Sequence, residues 1–290
     1  MRRTIAASII FGILSFGLIV FFVFYNKTES APPVLTENRG SVYTVIGTSV
    51  EGRNIEAYTY GNGETHLAFI GGIHGGYEWN SVILAYKFID YLGLNPGVVP
   101  VNLAVTVIPS ANPDGVYRVV GKVGRFTTTD VATNQQILAS SRFNTHDVDL
   151  NRNFDCKWKP QSMWRSKQVS AGRAPFSEPE ALAIKNFVLE NKPDAVISWH
   201  SQSGFVYASK CENGILPETL NIMDIYSRGS GYPADKSFDS YEITGDLDGW
   251  LASIGIPAIT VELKTHETIE WEENLAGIKA LFEYYRHKKE

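Results

Sequence analysis

Eight residues of this chain carry side chains suited to metal-assisted hydrolysis: His74, Glu78, Arg142, Asn151, Arg152, His200, Tyr241 and Glu262. They fall in five short polar clusters, "GGIHGGYEWN", "SRFNTHDVDLNRNF", "ISWHSQSG", "SYEITGDLDGW" and "AITVELK", most of which follow an apolar run. Two histidines and a glutamate leave one position of a tetrahedral zinc ion open, which is the catalytic arrangement. His74 and Glu78 are near enough in sequence to reach one cation, and His200 closes an apolar run of its own. Taken singly, each has a plainer explanation. A lone histidine is more often a hydrogen-bonded core residue, and Glu78 alone is a favourable acid in a first helical turn. The remaining histidines, His66, His146, His266 and His287, have no comparable setting, although His266 lies near Glu262.

Arg142 and the Asn151-Arg152 pair add the cationic half of the chemistry. A guanidinium fork matches a carboxylate in two-pronged fashion, and a neighbouring amide supplies a further donor. One arginine is expected to hold a substrate carboxylate, the other to stabilise the oxyanion formed when water adds to a carbonyl. Glu262 ends the run "PAITVEL", where a carboxylate can take a proton from metal-activated water. The alternative for Glu262 is an ion pair with Lys264 or a distant arginine. Tyr241 offers a phenol for substrate contact.

These groups need elements to hold them. Apolar runs bounded by turn residues predict buried strands at 66–70, 101–108, 195–199 and 258–263. Between them, Val82, Ile83, Leu84, Phe88, Ile89 and Leu92 form a helical stripe that Gly93 is expected to end. "SEPEALAIKNFVLE" predicts a capping box with Ser177 as N-cap, Pro179 in the first turn and Glu180 reaching back. A last helix is expected over 268–286, with Trp271, Leu275, Ile278, Phe282 and Tyr285 inward. Strands alternating with helices give an α/β fold, with a mixed, mostly parallel sheet covered on both faces. Ligand and catalytic groups collect at the carboxyl ends of such strands.

Length and composition fit one large domain: 290 residues, 44% apolar, net charge −5 and no basic block, which argues against nucleic acid as a partner. From Thr4 to Tyr25 the chain carries no charge, enough to cross a bilayer at roughly 20 residues per span. Arg2 and Arg3 ahead of it favour a cytoplasmic N-terminus and an extracytoplasmic domain. The expected organisation is a membrane anchor at 1–25, a Pro-containing linker at 26–40 and a catalytic domain at 41–290. A cleaved signal peptide, leaving a secreted domain, is the rival for 1–25. No globular propeptide is expected ahead of the domain. Cys156 and Cys211 are the two cysteines; an oxidising compartment permits a Cys156–Cys211 disulfide, with two buried thiols as the alternative. They lack the Cys-x-x-Cys pattern of a zinc ligand set.

With these residues assembled, the chain resembles the zinc metallocarboxypeptidases of the carboxypeptidase A type over 41–290. "IHGGYEW" is similar to the family's H-x-x-E-W, "NPDG" at 112–115 to a family loop, and the stretch from Arg142 through "VDLNRNF" to the arginine motif. "PFSEPEA", "HSQSG" and "TVEL" follow in the family's order. The resemblance implies His74, Glu78 and His200 on one zinc ion, Glu262 as general base and Arg142 as oxyanion stabiliser. It implies Asn151-Arg152 on the terminal carboxylate and Tyr241 as the tyrosine that closes over substrate, with Gly245 and Trp250 at family-like offsets. One departure is plain: His74-Gly-Gly-Tyr-Glu78 has one residue more than H-x-x-E. Gly75-Gly76 are expected to absorb it as a bulge, or the pair to sit one helical turn apart on a common face.

The resemblance points to an extracytoplasmic carboxypeptidase acting on peptides. A murein-peptide amidase that cleaves γ-glutamyl-diaminopimelate bonds is the alternative, and a non-catalytic binding module a third. Asp246 or Asp248 falls where relatives place the base of the side-chain pocket, which would favour a cationic residue. Capping of the helix "LDGWLAS" by Asp246 is the plainer reading.

Overall fold

The computed structural model describes residues 40–288. The expected anchor and all but the last residue of the expected linker lie outside the described residues. Among the described residues, no helix is long and apolar enough to cross a membrane.

The chain opens with β1 (Ser41–Thr48), β2 (Asn54–Gly61) and β3 (Thr65–Ile70), followed by α1 (Trp79–Leu94), β4 (Leu103–Ile108), α2 (Pro113–Val120) and α3 (Gln135–Ser140). A hairpin of β5 (Gln161–Trp164) and β6 (Lys167–Ser170) precedes α4 (Pro179–Asn191), β7 (Ala195–Ser201) and β8 (Val206–Ala208). Then come α5 (Pro217–Ser230), β9 (Ala234–Asp235), α6 (Leu247–Ser253), β10 (Ala258–Leu263) and α7 (Trp271–His287). Eight strands form one sheet in the order β1-β2-β4-β3-β7-β10-β8-β9. Its middle, β4-β3-β7-β10, is parallel, while β1-β2, β2-β4 and β10-β8 are antiparallel. The expected mixed α/β sheet is therefore present, and the four expected strands are its centre.

Alternation along the strands divides the core in two. Phe69, Ile197, Trp199, Ile259 and Val261 pack with α1, α5 and α7. Ala68, Ile70, Val196 and Ala258 pack with α4 and α6. Successive strand side chains point to opposite faces. His200 and Glu262, paired in register across β7 and β10, therefore belong to the α4/α6 face at the carboxyl ends of these strands.

Element boundaries differ from expectation in several places: β4 starts at Leu103, leaving Val101 exposed in the turn before it, and β7 runs on to Ser201. Gly93 does not end α1, which closes one residue later as the Asn95 N–H bonds to the carbonyls of Leu92 and Tyr91. The capping box before α4 is absent: Glu178 occupies the cap position, and Ser177 Oγ donates to Glu178 Oε1. Glu180 instead accepts from the Val50 N–H and from Asn144 Nδ2, so a long-range contact overrides the local one. The last helix starts at Trp271, after Glu270 in a left-handed conformation.

The extra residue between His74 and Glu78 is taken up by a 3-10 turn, Gly75–Glu78, with Gly75 at φ +51°. A Cβ on Gly75 would lie 2.5 Å from the Ser141 carbonyl, and one on Gly76 would strike Val119 of α2. Both glycines thus let this turn lie directly on α2, whose "NPDG" start is capped by Asn112 accepting from the Gly115 N–H. Gly75→Ala is predicted to cost about 1–3 kcal/mol through left-handed strain and overpacking. Denaturant unfolding checks this, and a loss below about 0.5 kcal/mol, the size of an ordinary surface change, would contradict it.

Candidate metal-dependent active site

All eight residues singled out from the sequence line one open cavity of about 1000 Å³. His74 follows the loop after β3, Glu78 ends the 3-10 turn before α1, and His200 lies near the end of β7. One ligand atom from each lies within 4.8 Å of the others, and all three residues are buried. The imidazole centroids are 5.0 Å apart. This is the one such cluster found among the described residues. The other histidines have structural partners: His66 with Thr106, His146 with Glu178, His287 with Glu283, and His266 with Ser201.

Charge is concentrated here. Arg142 Nη2 donates to His74 Nε2 at 3.1 Å, and its Nε donates to Asp149 Oδ2 at 3.0 Å. A guanidinium has no acceptor, so His74 Nε2 must present a lone pair. The other ring nitrogen lies 3.4 Å from Asp149 Oδ1, close enough to feel the carboxylate though bent out of hydrogen-bond geometry. Carboxylates placed behind a histidine in this way orient ring ligands in metal sites. Burial, reinforced by Arg142, holds the conjugate acid of His74 down at about 4, so the ring is neutral at pH 7, and the Nε2 lone pair that faces Arg142 is the one it would offer a cation. Glu78 Oε2 accepts from the Ser201 N–H at 3.1 Å and lies 3.2 Å from His200 Nδ1. Burial would raise the Glu78 carboxyl, but the two imidazoles and Arg142 bring it below the ordinary range. Glu262 goes the other way. Burial, then the neighbouring Glu78, push its carboxyl well above the usual range.

The residues fit a divalent cation. Two buried carboxylates, Glu78 and Asp149, share the Arg142 guanidinium, and the Glu262 carboxyl beside them is pushed toward its neutral form by burial and by the negative charge already there. His200 Nε2 and Glu262 Oε2 are buried without hydrogen-bond partners, although unpaired buried polar atoms are costly. An imidazole and carboxylate donor set suits zinc.

The clamp residues sit farther along the cavity, on the 3-10 turn Leu150–Arg152. Asn151 Oδ1 accepts from the Leu247 N–H, which orients its amide and leaves the NH₂ to donate. Arg152 spends three of its five N–H groups on the carbonyls of Met163 and Asn151. Its guanidinium carbon is 6.0 Å from the centre of the half-buried Tyr241 ring.

Sequence reasoning missed the supports. Asp149 stands inside "VDLNRNF", where its neighbours drew the attention; its signal was a carboxylate two residues before the arginine pair. The β5–β6 hairpin, too short and polar to register as strands, lays Trp164 4.7 Å from the Arg142 guanidinium carbon and supplies the Met163 carbonyl to Arg152. Asp246 and Asp248 both line the cavity but are held differently. Asp246 caps α6 by accepting from the Gly249 N–H. Asp248 is buried beneath the site, its Oδ2 accepting from Ser198 at 2.7 Å and Thr260 at 2.6 Å, with Oδ1 unpartnered. Ser198 and Thr260 precede His200 and Glu262 by two residues on the same strand face, placing Asp248 about 6–7 Å deeper.

Comparison with known proteins agrees with this geometry. The model of the zinc carboxypeptidase family matches residues 35–271. The chain is 29% identical over 259 residues to gamma-D-glutamyl-L-diamino acid endopeptidase 1 of Lysinibacillus sphaericus, covering 82% of this chain and 63% of that protein. It is 27% identical over 184 residues to human carboxypeptidase O, covering 58% of this chain and 47% of that protein. Thus the chain spans less than two thirds of these curated relatives. Among solved structures, murein-tripeptide amidase MpaA from Escherichia coli O157 aligns with TM-score 0.59 and 22% identity over 90% of this chain and 96% of that one. Bovine thrombin-activatable fibrinolysis inhibitor aligns with TM-score 0.66 and 20% identity, covering 86% and 89%. These structural likenesses bear on the fold.

Asp149→Asn is predicted to weaken zinc affinity about 10–100-fold, the usual effect of losing a partner behind a ligand. Competition against a chromogenic chelator measures this, and unchanged affinity would contradict the support assigned to Asp149.

Proposed function

The chain belongs to the zinc carboxypeptidase family, and from that premise we propose that it is a metal-dependent exopeptidase hydrolysing the bond before a carboxy-terminal residue. The observation that carries this is a His74-Glu78-His200 cluster sharing one cavity with the Asn151-Arg152 clamp. A free terminal carboxylate suits that clamp, because Asn151 and Arg152 both line the cavity and, among the described residues, Arg152 is in no ion pair and keeps two N–H groups unspent.

When bound, zinc supplies a Lewis acid that polarises a carbonyl and makes water acidic enough to attack at neutral pH. Glu262, with an unpartnered Oε2 in the cavity, takes the proton from the attacking water and delivers it to the departing amine nitrogen. Arg142, held in place by Asp149 and Trp164, donates to the oxygen on which negative charge develops. Asn151 and Arg152 fix the terminal carboxylate, and Tyr241 lies over Arg152 to shield it from water. Asp248 lies deeper, beneath the reacting centre, and its free oxygen suits an ammonium at the end of the departing side chain.

An ammonium-bearing residue fits lysine, ornithine or diaminopimelate. This favours a second reading, hydrolysis of γ-glutamyl-diaminopimelate in wall peptides. The diamino acid endopeptidase aligned over 82% of this chain supports it. We further propose an extracytoplasmic location, tethered through the apolar stretch 4–25. The Cys156–Cys211 disulfide supports that location.

Glu262→Gln is predicted to retain zinc while losing at least about 100-fold in kcat; turnover near the native rate removes Glu262 from the role. Asp248→Asn is predicted to raise KM for lysine-terminated substrates about tenfold or more, the weight of a hydrogen bond to a charged group, and to alter alanine-terminated ones far less. Equal losses on both contradict the pocket assignment. Assay of an α-linked lysine terminus beside γ-glutamyl-diaminopimelate, with and without a chelator, tests the reading itself. Absence of chelator-sensitive hydrolysis of either substrate overturns it.

A further inference from the structure

We propose that the Cys156–Cys211 disulfide is a specificity determinant, the wall that sets how long a side chain the departing residue can carry. This rests on the exopeptidase reading above. Cys156 and Cys211 both line the same cavity as the metal cluster, joined with Cα atoms 6.1 Å apart across 55 residues of sequence.

The geometry puts the bridge where the side chain must go. A substrate held by its carboxylate at Asn151-Arg152 and by its scissile carbonyl at the metal cluster spans the space between them. Its last side chain is then left the inner lining, where Asp248 sits. The start of α6 brings that lining to the disulfide. A Cβ on Gly249, the residue after Asp248, would lie 3.0 Å from Cys156 Sγ and 2.8 Å from Asp246 Oδ1. Glycine at this position lets α6 lie directly against the sulfur, so Asp248 and the bridge belong to one wall of the cavity. A polarisable, apolar sulfur wall suits the methylene stem of an ammonium-bearing side chain, and Asp248 suits its head.

The bridge also decides whether the wall holds its position. On one side Cys156 is fixed by backbone: its carbonyl accepts from the Gly245 N–H at 2.7 Å, and the Phe154 N–H donates to the Gly245 carbonyl at 2.8 Å. These bonds tie the clamp segment to the strand of chain that carries Tyr241. On the other side, Cys211 stands in a turn after the three-residue β8. There the Ser209 N–H reaches the Ala258 carbonyl, and beyond it the turn closes on itself through Gly214 N–H to the Cys211 carbonyl. The disulfide couples this weakly held turn to the firmly held clamp segment, fixing the width of the compartment.

The test is a stem-length series of acyl-dipeptides ending in alanine, diaminobutyrate, ornithine, lysine or homolysine. It is assayed with the oxidised native chain, the Cys156→Ala/Cys211→Ala double variant, and the native chain after mild reduction and again after reoxidation. Zinc content is measured in each. In the oxidised chain the KM ratio between the preferred stem and the next longer one is expected to be about tenfold or more, the discrimination a fitted pocket gives per methylene. Opening the bridge is expected to collapse that ratio to about threefold or less, through KM more than kcat, with zinc retained and the ratio restored on reoxidation. A ratio unchanged on opening the bridge overturns the proposal. So does a uniform fall in kcat across the series, which a merely structural cross-link would give. If the double variant does not fold, the reduced and reoxidised native chain decides. If the oxidised native chain hydrolyses no member of the series, whether α-linked or made with a γ-glutamyl acyl residue, the exopeptidase reading itself fails, a result distinct from hydrolysis that is indifferent to the bridge.

Discussion

The structure depends on balancing an excess of buried negative charge at one point. Glu78 and Asp149 are almost wholly removed from solvent, and Arg142 is the one guanidinium that touches both. Glu262 lies beside them with its carboxyl pushed toward the neutral form. Isolated buried charges are too costly to persist, so such groups pair, bind a cation or lose their charge. Here the first two solutions share the work. Arg142 anchors Asp149 and touches His74, while the cluster of His74, Glu78 and His200 offers donor atoms to a divalent ion whose positive charge offsets the remaining excess.

The fold explains why these groups meet despite wide separation in sequence. Parallel β3, β7 and β10 end side by side, and their register sets His200 against Glu262. The loop after β3 carries His74 to the same edge, where paired glycines allow the 3-10 turn to settle on α2. The alternation that buries Trp199 and Val261 on one face sends His200 and Glu262 to the other. It repeats two residues earlier with Ser198 and Thr260, which cradle Asp248. One periodicity thus places both the reacting centre and the deeper carboxylate.

Much of this was legible in the sequence. His74, His200 and Glu262 each follow a dense apolar run, and such runs are the least ambiguous signal a central strand gives. The helical stripes of α1 and α7 were equally plain, and the two cysteines do pair. What stayed hidden depends on distant contacts. Glu180 looked like a capping residue, but it is drawn to the Val50 amide and to Asn144, partners 130 and 36 positions away. Asp149 carried only its nearness to Asn151-Arg152 as a mark, because only the folded chain sets it behind His74 and Arg142. The edge strand β1 is largely exposed and β8 and β9 are very short, so their alternation is faint. The spacing of His74 and Glu78 was the real ambiguity, and the left-handed φ of Gly75 resolves it in favour of a tight turn.

Zinc-edge X-ray absorption of the purified chain tests the balance of charge most directly. The account predicts one zinc per chain surrounded by light donors only, with two imidazole scattering patterns and Zn–N/O distances near about 2.0–2.2 Å. Sulfur scatterers near about 2.3 Å, or no stoichiometric zinc after equilibration with the metal, would contradict it.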